Sequence, residues 1–318
     1  MTTFSNKKVA ILGECMIELS GQAFSTQEQR FGGDTLNTAL YLSRLAPEIH
    51  PAYVTVLGVD NYSKHMKAAW ENEGIDCSLI MTNEEKLPAL YAIELADDGE
   101  RSFQYWRNDS AARYLCQNEH YSSVMNSLSS FDLVYLSGVS LAILPEEDKQ
   151  ILLDSLHVLK AQGVKIAVDS NYRPRLWQGK EHATQWLEKL YRLTDIALVT
   201  CDDEALLLGE SISPEALTTR LRNFGVSDMI VKLGKDGAMY SDSEHNANVA
   251  KGNVITNVVD TTAAGDSFNG GFLAAWATGR TLKECCHWGN KLAAEVIQHK
   301  GAIIPTENTR YITSLMSL

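Results

Sequence analysis

The chain has 318 residues, of which 45% are hydrophobic and 21% are charged. This composition is ordinary for a globular protein and too apolar for a disordered one. The formal net charge of −12 argues against a broad nucleic-acid or anionic-membrane interface, because both require a basic surface. The length suits one large α/β domain or two smaller domains.

The amino terminus, Met1 to Val9, contains no apolar run long enough for a signal peptide. A later apolar stretch, Phe272–Ala277, is too short to cross a bilayer. No Cys-x-x-Cys pair occurs, so the cysteines are interpreted as reduced side chains, most of them buried. We therefore expect a cytoplasmic protein with neither a membrane nor a nucleic acid as partner.

Short apolar runs alternate with helical patterns through most of the chain. They lack a strict two-residue alternation, which indicates strands that are buried on both faces of a parallel sheet. Helices are predicted from near Pro145 and from Ser213–Pro214. The pattern predicts a doubly wound α/β fold with ligands at the carboxyl ends of the strands. The predicted strands are Val9–Leu12, Tyr53–Leu57, Asp132–Leu136, Val164–Val168, Ile196–Val199 and Met229–Leu233.

One region departs from this alternation of strands and helices. Two β-rich runs, Leu90–Leu95 and Arg101–Trp106, flank a segment with an Asp-Gly pair, which is a hairpin signal. Cys15–Leu19 and Cys77–Met81 also have strand character. We predict a small β lid, drawn from about 14–30, 75–82 and 88–108, within a single domain spanning 1–318. An ordinary surface hairpin is the alternative. Exposed lid edges could pair between subunits, so a homodimer is expected.

The last third of the chain contains a candidate anion site. Val254–Val259 is predicted as a strand, and 260–266 as a turn of small residues before a helix over Ser267–Thr278. Backbone N–H groups at a helix start bind anions. Asp266 has two interpretations at this stage, a structural N-cap or a general base that accepts a proton from an attacking hydroxyl.

Two motifs give this sequence a family resemblance. Residues 260–266, Asp-Thr-Thr-Ala-Ala-Gly-Asp, resemble the D-T-x-G-A-G-D signature of the ribokinase-like (PfkB) carbohydrate kinases. Residues 32–39, Gly-Gly-Asp-Thr-Leu-Asn-Thr-Ala, resemble the family's amino-terminal signature, G-G-x-x-x-N-x-A. The resemblance covers essentially the whole chain, and it implies the ribokinase-like fold, a doubly wound sheet flanked by helices with an inserted lid, and phosphoryl transfer from ATP.

The resemblance also implies residue roles. Asp266 matches the catalytic base, and the N–H groups of Ala263, Ala264, Gly265 and Asp266 match the anion hole. The residues that match the ATP site are Lys232, Gly234, Gly237, Ala264, Gly265 and Asn290. From the residues alone, Asn290 could equally be a plain amide on the surface of a helix.

Two positions depart from the family pattern. Ala263 replaces the usual first glycine, which leaves the N–H donor but restricts φ. Cys201 replaces the Asn of the N-x-x-E segment, whose Glu204 would help place Mg²⁺ through water; the alternative for Glu204 is an acid that complements the helix dipole. The resemblance further implies a monovalent cation such as K⁺, with Asp260 and Thr262 as candidates.

The substrate is indicated by a smaller resemblance. Residues 13–19, 32–39 and 171–174 resemble the family members that phosphorylate the sugar acid 2-keto-3-deoxygluconate. Arginine binds carboxylates with two parallel hydrogen bonds, although any single arginine could instead be a solvated side chain or form a salt bridge within this acidic protein. The resemblance implies that Arg107 and Arg173 hold the carboxylate and keto end. The expected substrate-binding residues are Gly33, Asp34, Asn37, Tyr91, Tyr105, Arg107, Arg173 and Asp266.

Other functions remain open at this stage. A kinase for a neutral sugar, such as fructose or a riboside, is the nearest alternative, because the segment 169–177 also resembles fructokinase-like members. A non-catalytic regulator with the same fold is a second alternative. The sequence contains neither the P-loop motif G-x-x-x-x-G-K-[ST] nor a G-x-G-x-x-G after the first strand, which disfavours a P-loop kinase and a dinucleotide-binding oxidoreductase.

Overall fold

The computed structural model describes residues 6–95, 101–241 and 247–316. Strands and helices alternate in these ranges. The strands are β1 (Val9–Leu12), β2 (Met16–Ser20), β3 (Glu28–Gly32), β4 (Ala52–Val54), β5 (Val56–Leu57), β6 (Met81–Thr82), β7 (Ala89–Leu95), β8 (Arg101–Trp106), β9 (Leu133–Ser137), β10 (Lys165–Asp169), β11 (Ile196–Thr200), β12 (Asp228–Lys232), β13 (Gly237–Ser241) and β14 (Ala247–Lys251). The helices are α1 (Asp34–Leu45), α2 (Asn61–Asn72), α3 (Tyr121–Ser127), α4 (Gly138–Ala142), α5 (Glu146–Ala161), α6 (Lys180–Leu193), α7 (Cys201–Leu208), α8 (Pro214–Asn223), α9 (Ala264–Ala277), α10 (Leu282–Val296) and α11 (Glu307–Met316).

An eight-stranded sheet forms the centre of the molecule, in the order β14-β13-β12-β11-β10-β9-β1-β4. The pairs from β4 through β12 are parallel, and β13 and β14 add an antiparallel edge. Alternate residues of β1 pack into two separate cores, Val9 and Ile11 on one face and Ala10 and Leu12 on the other. Because both faces are covered, these strands show no polar alternation. The predicted α/β fold with a mostly parallel sheet is confirmed.

A four-stranded sheet, in the order β3-β2-β7-β8, lies apart from the central sheet and is called the small sheet below. Strands β7 and β8 pair antiparallel, as a hairpin requires. The predicted Asp-Gly turn falls in 96–100, outside the described residues.

The segment 75–82 does not belong to the small sheet, so the predicted boundaries were wrong there. Strand β6 pairs with β5 in a separate two-stranded sheet, while Cys77 and Met81 are buried in the two cores of the central sheet. The remaining strand of the small sheet is Glu28–Gly32, which reaches two residues beyond the predicted segment 14–30.

The region before α9 also differs from the prediction. Residues 254–259 form no strand, and Val254 is 93% exposed. The N–H of Val259 instead donates to the carbonyl of Ile297 at the end of α10. β-branched residues predict a strand only where a neighbouring strand is available to pair with it. No helix in the described part of the chain is both long and apolar enough to cross a bilayer.

Candidate active site

Two helix starts meet beside the carboxyl edge of the central sheet. Helix α1 begins after Gly33, and α9 begins after Ala263. Thr38 Oγ1 lies 3.0 Å from the carbonyl oxygen of Asp34 and 3.2 Å from that of Asp266. The two sequence motifs, far apart in the chain, therefore face each other in one site. Both helices direct the positive end of their dipole towards it.

Asp266 lies in the first turn of α9, and the helix begins at Ala264, three residues earlier than predicted. Its side chain makes no cap bond, because the N-cap position belongs to Ala263. The structural N-cap interpretation of Asp266 is therefore wrong. Its Oδ2 instead accepts a hydrogen bond of 2.9 Å from Nδ2 of Asn37 on α1.

Ala263 adopts the left-handed conformation, with φ 58° and ψ 19°. This conformation lets α9 begin immediately after the turn. Because the N–H groups of Gly265 and Asp266 belong to the first turn of the helix, no carbonyl group of the helix accepts them. The N–H of Ala264, which was assigned to the anion hole, donates to the carbonyl of Thr261 at 3.2 Å. The first turn of α9 can therefore hold an anion with fewer donors than the sequence motif implies.

We expect Ala263→Gly to stabilise the protein by roughly 1 kcal/mol, because a left-handed alanine costs about that much more than glycine. Chemical denaturation with a two-state fit measures the change. The same substitution at Ala274, in the interior of α9, provides the control and should destabilise by about 1 kcal/mol or more. A loss of stability in both variants would contradict the strain at Ala263.

The electrostatics of the site suit proton transfer. Loss of hydration and then the nearby charge of Asp34 raise the pKa of Asp266 to about 7, while the Asn37 amide acts in the opposite direction. Asp34 is held by Nδ2 of Asn171, 2.5 Å from its Oδ2. A carboxyl group with a pKa near the working pH is well matched to accept a proton from a hydroxyl group.

A buried polar network borders the first turn of α9. Lys232 Nζ lies 2.7 Å from Asp169 Oδ2 and 3.5 Å from the position that a Cβ on Gly265 would take. Asn269 Nδ2 donates to the same Asp169 oxygen at 2.7 Å. The network holds the Lys232 ammonium group beside the anion hole, where it can stabilise negative charge that develops on a transferring group. The sequence analysis assigned no individual role to Asp169, which directly follows the predicted strand Val164–Val168, or to Asn269.

A cavity of about 870 Å³ opens on the other side of this turn, between α10 and the β12–β13 connection. Its size suits a small-molecule or cofactor site. Every residue predicted for ATP binding lines it: Lys232, Gly234, Gly237, Ala264, Gly265 and Asn290.

Two of these lining residues also have structural roles. A Cβ on Gly237, at φ 102°, would lie 2.1 Å from the carbonyl oxygen of Ala250, so glycine is required there. The amide of Asn290 donates to the carbonyls of Ala250 and Lys251, which ties α10 to β14. The surface-amide interpretation of Asn290 is thus wrong.

Strands β7 and β8 of the small sheet carry the two tyrosines predicted to bind the substrate. Tyr91 and Tyr105 stack at 5.9 Å between ring centroids, and the Arg107 guanidinium lies 5.9 Å from the Tyr105 ring. The Tyr91 hydroxyl donates to the buried Glu18. Arg107 Nη2 lies 2.5 Å from Oε2 of Glu14. The structure therefore gathers the three predicted lid residues, and it adds two buried acids that the sequence analysis did not assign.

Gly33 and Asn37 contribute differently from expectation. A Cβ on Gly33 would lie 2.4 Å from the carbonyl oxygen of Glu14, so this glycine is required by contact between two backbone segments. Nδ2 of Asn37 is engaged by Asp266, and its Oδ1 is buried without a hydrogen-bond partner in the described part of the chain. Asn37 thus orients the carboxylate of Asp266.

Arg173 is placed apart from Arg107. Its Nη1 donates to the carbonyl of Tyr172 at 2.9 Å and lies 3.2 Å from Oδ1 of Asp203, and its side chain is 55% exposed. Burial, followed by the charge of Asp169, raises the pKa of Asp203. Arg173 therefore bridges the loop after β10 and the start of α7.

The first residue predicted to place a metal is Glu204. Glu204 is fully buried, accepts the Tyr191 hydroxyl and does not line the cavity, whereas Cys201 and Asp202 do. Glu204 lies two positions after Asp202 on α7, so its side chain points roughly 200° away from that of Asp202. The structure thus does not bring Glu204 to the phosphate side, in contrast to the expectation.

Asp260 lies against the turn before α9, at 5% exposure. Its two carboxylate oxygens accept the N–H groups of Thr262 at 2.9 Å and Gly301 at 2.8 Å. Within the ranges described, no three His, Cys, Asp or Glu side chains cluster as a metal site. A buried carboxylate beside the anion hole suits a weakly held cation with mainly backbone and water ligands.

Comparison with known proteins gives consistent results. A model described as "pfkB family carbohydrate kinase" matches residues 6–309. The 2-dehydro-3-deoxygluconokinase of Haemophilus influenzae is 47% identical over 303 residues, which cover 94% of this chain and 96% of that protein. The protein of the same name from Escherichia coli K12 is 43% identical over 309 residues, covering 95% of this chain and 98% of that protein.

Solved structures share the fold. A PfkB protein from Polaromonas matches with a TM-score of 0.82 at 24% identity, covering 97% of this chain and 99% of that one. Aminoimidazole riboside kinase from Salmonella enterica, with its riboside and an ATP analogue, matches at 0.80 and 21%, with 97% and 99% covered. A fructokinase variant from Vibrio cholerae, with fructose, ADP and potassium bound, matches at 0.81 and 20%, with 97% and 98% covered.

Proposed function

The chain belongs to the pfkB family of carbohydrate kinases, and from this premise we propose that it transfers the γ-phosphoryl group of ATP to 2-keto-3-deoxygluconate, giving the 6-phosphate. The observation that supports the reaction is the contact between Asp266 and Asn37, which sets a carboxyl with a pKa near 7 at a helix start. The full-length relatives named for the same sugar acid, 2-dehydro-3-deoxygluconate, support the substrate.

The geometry supports a proposed role for each part of the site. ATP occupies the 870 Å³ cavity with its phosphates towards Gly265 and Lys232. Asp266 accepts the proton of the 6-hydroxyl as that oxygen attacks the γ-phosphorus in line with the departing ADP oxygen. The N–H groups at the start of α9 and the Lys232 ammonium stabilise the negative charge on the transferring group. Asn37 keeps the base aimed at the hydroxyl group.

We propose Mg²⁺ as the metal that accompanies ATP and K⁺ as a monovalent activator. Mg²⁺ keeps several of its waters and needs few protein ligands, so Asp202 and Asp203 at the start of α7 fit a water-mediated role better than the enclosed Glu204. When bound, it neutralises phosphate charge. Asp260 and Thr262 are proposed to hold the monovalent cation.

We propose that the sugar acid lies under the small sheet. Tyr91, Tyr105 and Arg107 form one wall, and Gly33 and Asp34 lie at the start of α1 opposite them. Arg173 would bind the carboxylate or keto end of the substrate in place of Asp203. Its ion pair with Asp203 is long, at 3.2 Å, and the Arg173 side chain is 55% exposed, so little stability is lost when this pair breaks.

We also propose that the protein is a cytoplasmic homodimer joined through the small sheet, without a nucleic-acid or membrane partner. Edge strand β8 ends in Trp106, which is 62% exposed. An aromatic residue on an open strand edge is typical of a surface that pairs with another chain. Sedimentation at micromolar concentration tests the dimer, and a monomeric profile would contradict it.

A substrate panel tests the function directly. ADP release is measured with 2-keto-3-deoxygluconate, fructose and ribose at equal concentrations, with saturating ATP and Mg²⁺. We expect turnover of the sugar acid to exceed that of either neutral sugar by at least about 100-fold, since a buried charge-assisted contact discriminates by roughly 1.5–3 kcal/mol and two contacts are proposed. Strong turnover of fructose without turnover of the acid would reject the assigned substrate.

The pH dependence follows from the state of Asp266. The base must be ionised, and its pKa lies at about 7, so kcat should fall below pH 7 by about tenfold per pH unit and level off above it. Asp34→Asn removes a negative neighbour, which should shift the midpoint to lower pH. Initial rates at saturating substrates across pH 5–9 measure both profiles. A wild-type rate that stays flat down to pH 5 would contradict this account.

A further inference from the structure

Glu14 is a buried acid that neither the family motifs nor the comparisons assign to a role. It follows β1 at the carboxyl edge of the central sheet and is 3% exposed. Its Oε2 lies 2.5 Å from Arg107 Nη2, and its Oε1 accepts the hydroxyl of Ser110. Burying a carboxylate is costly unless it is paired and hydrogen-bonded, and Glu14 meets both conditions at once.

Arg107 depends on this acid for its position. It is 9% exposed, and among the described contacts its guanidinium bonds only to Glu14. Its Nε is buried and finds no hydrogen-bond acceptor within residues 6–95, 101–241 and 247–316. An unsatisfied buried donor is unfavourable. Beyond the Nη2 contact with Glu14, the guanidinium therefore keeps N–H groups that no described residue accepts, and a carboxylate matches a guanidinium edge.

The backbone of Glu14 is itself held in place. Its carbonyl oxygen packs against Gly33, where a Cβ would come within 2.4 Å, and Ser110 holds the side chain from the far side. A rigid connection therefore runs from the central sheet through Glu14 to Arg107, which lies just beyond the last residue of β8. The small sheet and the central sheet meet through this buried ion pair.

We propose that Glu14 is a positioning residue for the sugar acid: it binds Nη2 of Arg107 and so orients the remaining N–H groups of the guanidinium towards the substrate carboxylate. This inference rests on the proposed function. The negative charge of Glu14 by itself repels an anionic substrate. Glu14 therefore assists substrate binding only through its side-chain length, called its reach here, which lets it hold Arg107 in position. Two variants separate these effects, because aspartate keeps the charge and shortens the reach, whereas glutamine keeps the reach and removes the charge.

The test compares Glu14→Asp with Glu14→Gln in the full-length protein. For Glu14→Asp, we expect the KM for 2-keto-3-deoxygluconate to rise about tenfold, equivalent to one lost hydrogen bond to a charged group, with kcat and the KM for ATP within about threefold of wild type. Glutamine can still accept from Nη2 through its amide oxygen, so Glu14→Gln should raise the sugar KM by less than Glu14→Asp. Ser110→Ala, which removes one anchor without unpairing a charge, should raise it by about two- to fivefold.

A double variant completes the test. Once Arg107 is replaced by alanine, Glu14 has nothing to position, so Glu14→Asp/Arg107→Ala should have the same sugar KM as Arg107→Ala alone. A wild-type KM in both Glu14→Asp and Ser110→Ala would overturn the inference, as would a larger effect for glutamine than for aspartate. If Arg107→Ala raises the sugar KM while Glu14→Asp does not, the proposed function stands and only the positioning role fails. If wild type does not phosphorylate the acid, the proposed function itself fails.

Discussion

Replacing Asp266 by asparagine should lower kcat by about 10³-fold, because general-base catalysis typically contributes 10²–10⁴-fold. The amide has nearly the same shape, so the start of α9 and the cavity should be retained. Asn37 donates to Oδ2 of Asp266 in the wild type, and it can donate to the amide oxygen in the variant. The KM values for ATP and the sugar should therefore change by less than about threefold, since the N–H donors and Lys232 still bind the phosphates. Steady-state ADP release measures all three constants.

Asp154→Asn is the matched control, since Asp154 lies on the exposed face of α5 and makes the same change of charge. It should retain wild-type kcat. The denaturation midpoint of Asp266→Asn should equal or exceed that of wild type, because a neutral group replaces a partly buried acid. Such a midpoint would exclude unfolding as the cause of the lower kcat. If Asp266→Asn phosphorylated the sugar at the wild-type rate, proton transfer to Asp266 would not be part of the reaction.

Replacing Arg107 by alanine should raise the KM for 2-keto-3-deoxygluconate by about 10- to 100-fold, the range expected for hydrogen bonds to a charged group worth roughly 1.5–3 kcal/mol. The guanidinium is proposed to contact only the non-reacting end of the substrate, so kcat should stay within about threefold. The KM for ATP should not change, because Arg107 belongs to the small sheet and does not line the nucleotide cavity. Initial rates over a range of sugar concentrations measure the effect.

The alanine variant leaves Glu14 buried without its partner, which costs roughly 3–5 kcal/mol. Rates should therefore be measured well below the melting temperature of the variant. Arg30→Ala, on strand β3 of the same sheet, is the matched control, because Arg30 is 40% exposed and its ion pair with Glu28 lies at the surface. Its KM for the sugar should equal that of wild type. An unchanged sugar KM in Arg107→Ala would remove the basis for carboxylate recognition by the small sheet.

Residues whose role depends on the local backbone were predictable from the sequence. The turn before Asp266, the glycines at 234 and 237 and the start of α1 at Gly33 belong to short motifs whose backbone shape is set by neighbours in the chain. For the same reason α8 begins after Ser213, as predicted, and the Ser213 side chain accepts the N–H of Ala216. The alternation of apolar runs with helices likewise defined the parallel sheet, because strands covered on both faces need no polar alternation.

Residues whose role depends on a distant partner were not predictable. A salt bridge was one alternative for Arg107 and Arg173, but the sequence did not indicate the partner acids, Glu14 and Asp203, which come from other parts of the chain. Glu204 matched a motif position, but the phase of α7 turns it inwards to Tyr191. These differences arise because ion pairs and burial depend on which segments pack together, which no local pattern encodes.

The amino-acid sequence by itself therefore determined the fold class and the family, and it predicted where the base and the anion hole lie, because each depends on local backbone geometry and on side-chain patterning along single elements. Only the tertiary structure decided that Asp266 is oriented by Asn37 and that its pKa lies near 7, since both result from packing α1 against α9. It also revealed Glu14 beneath Arg107, because that pair forms only when the small sheet docks on the central one.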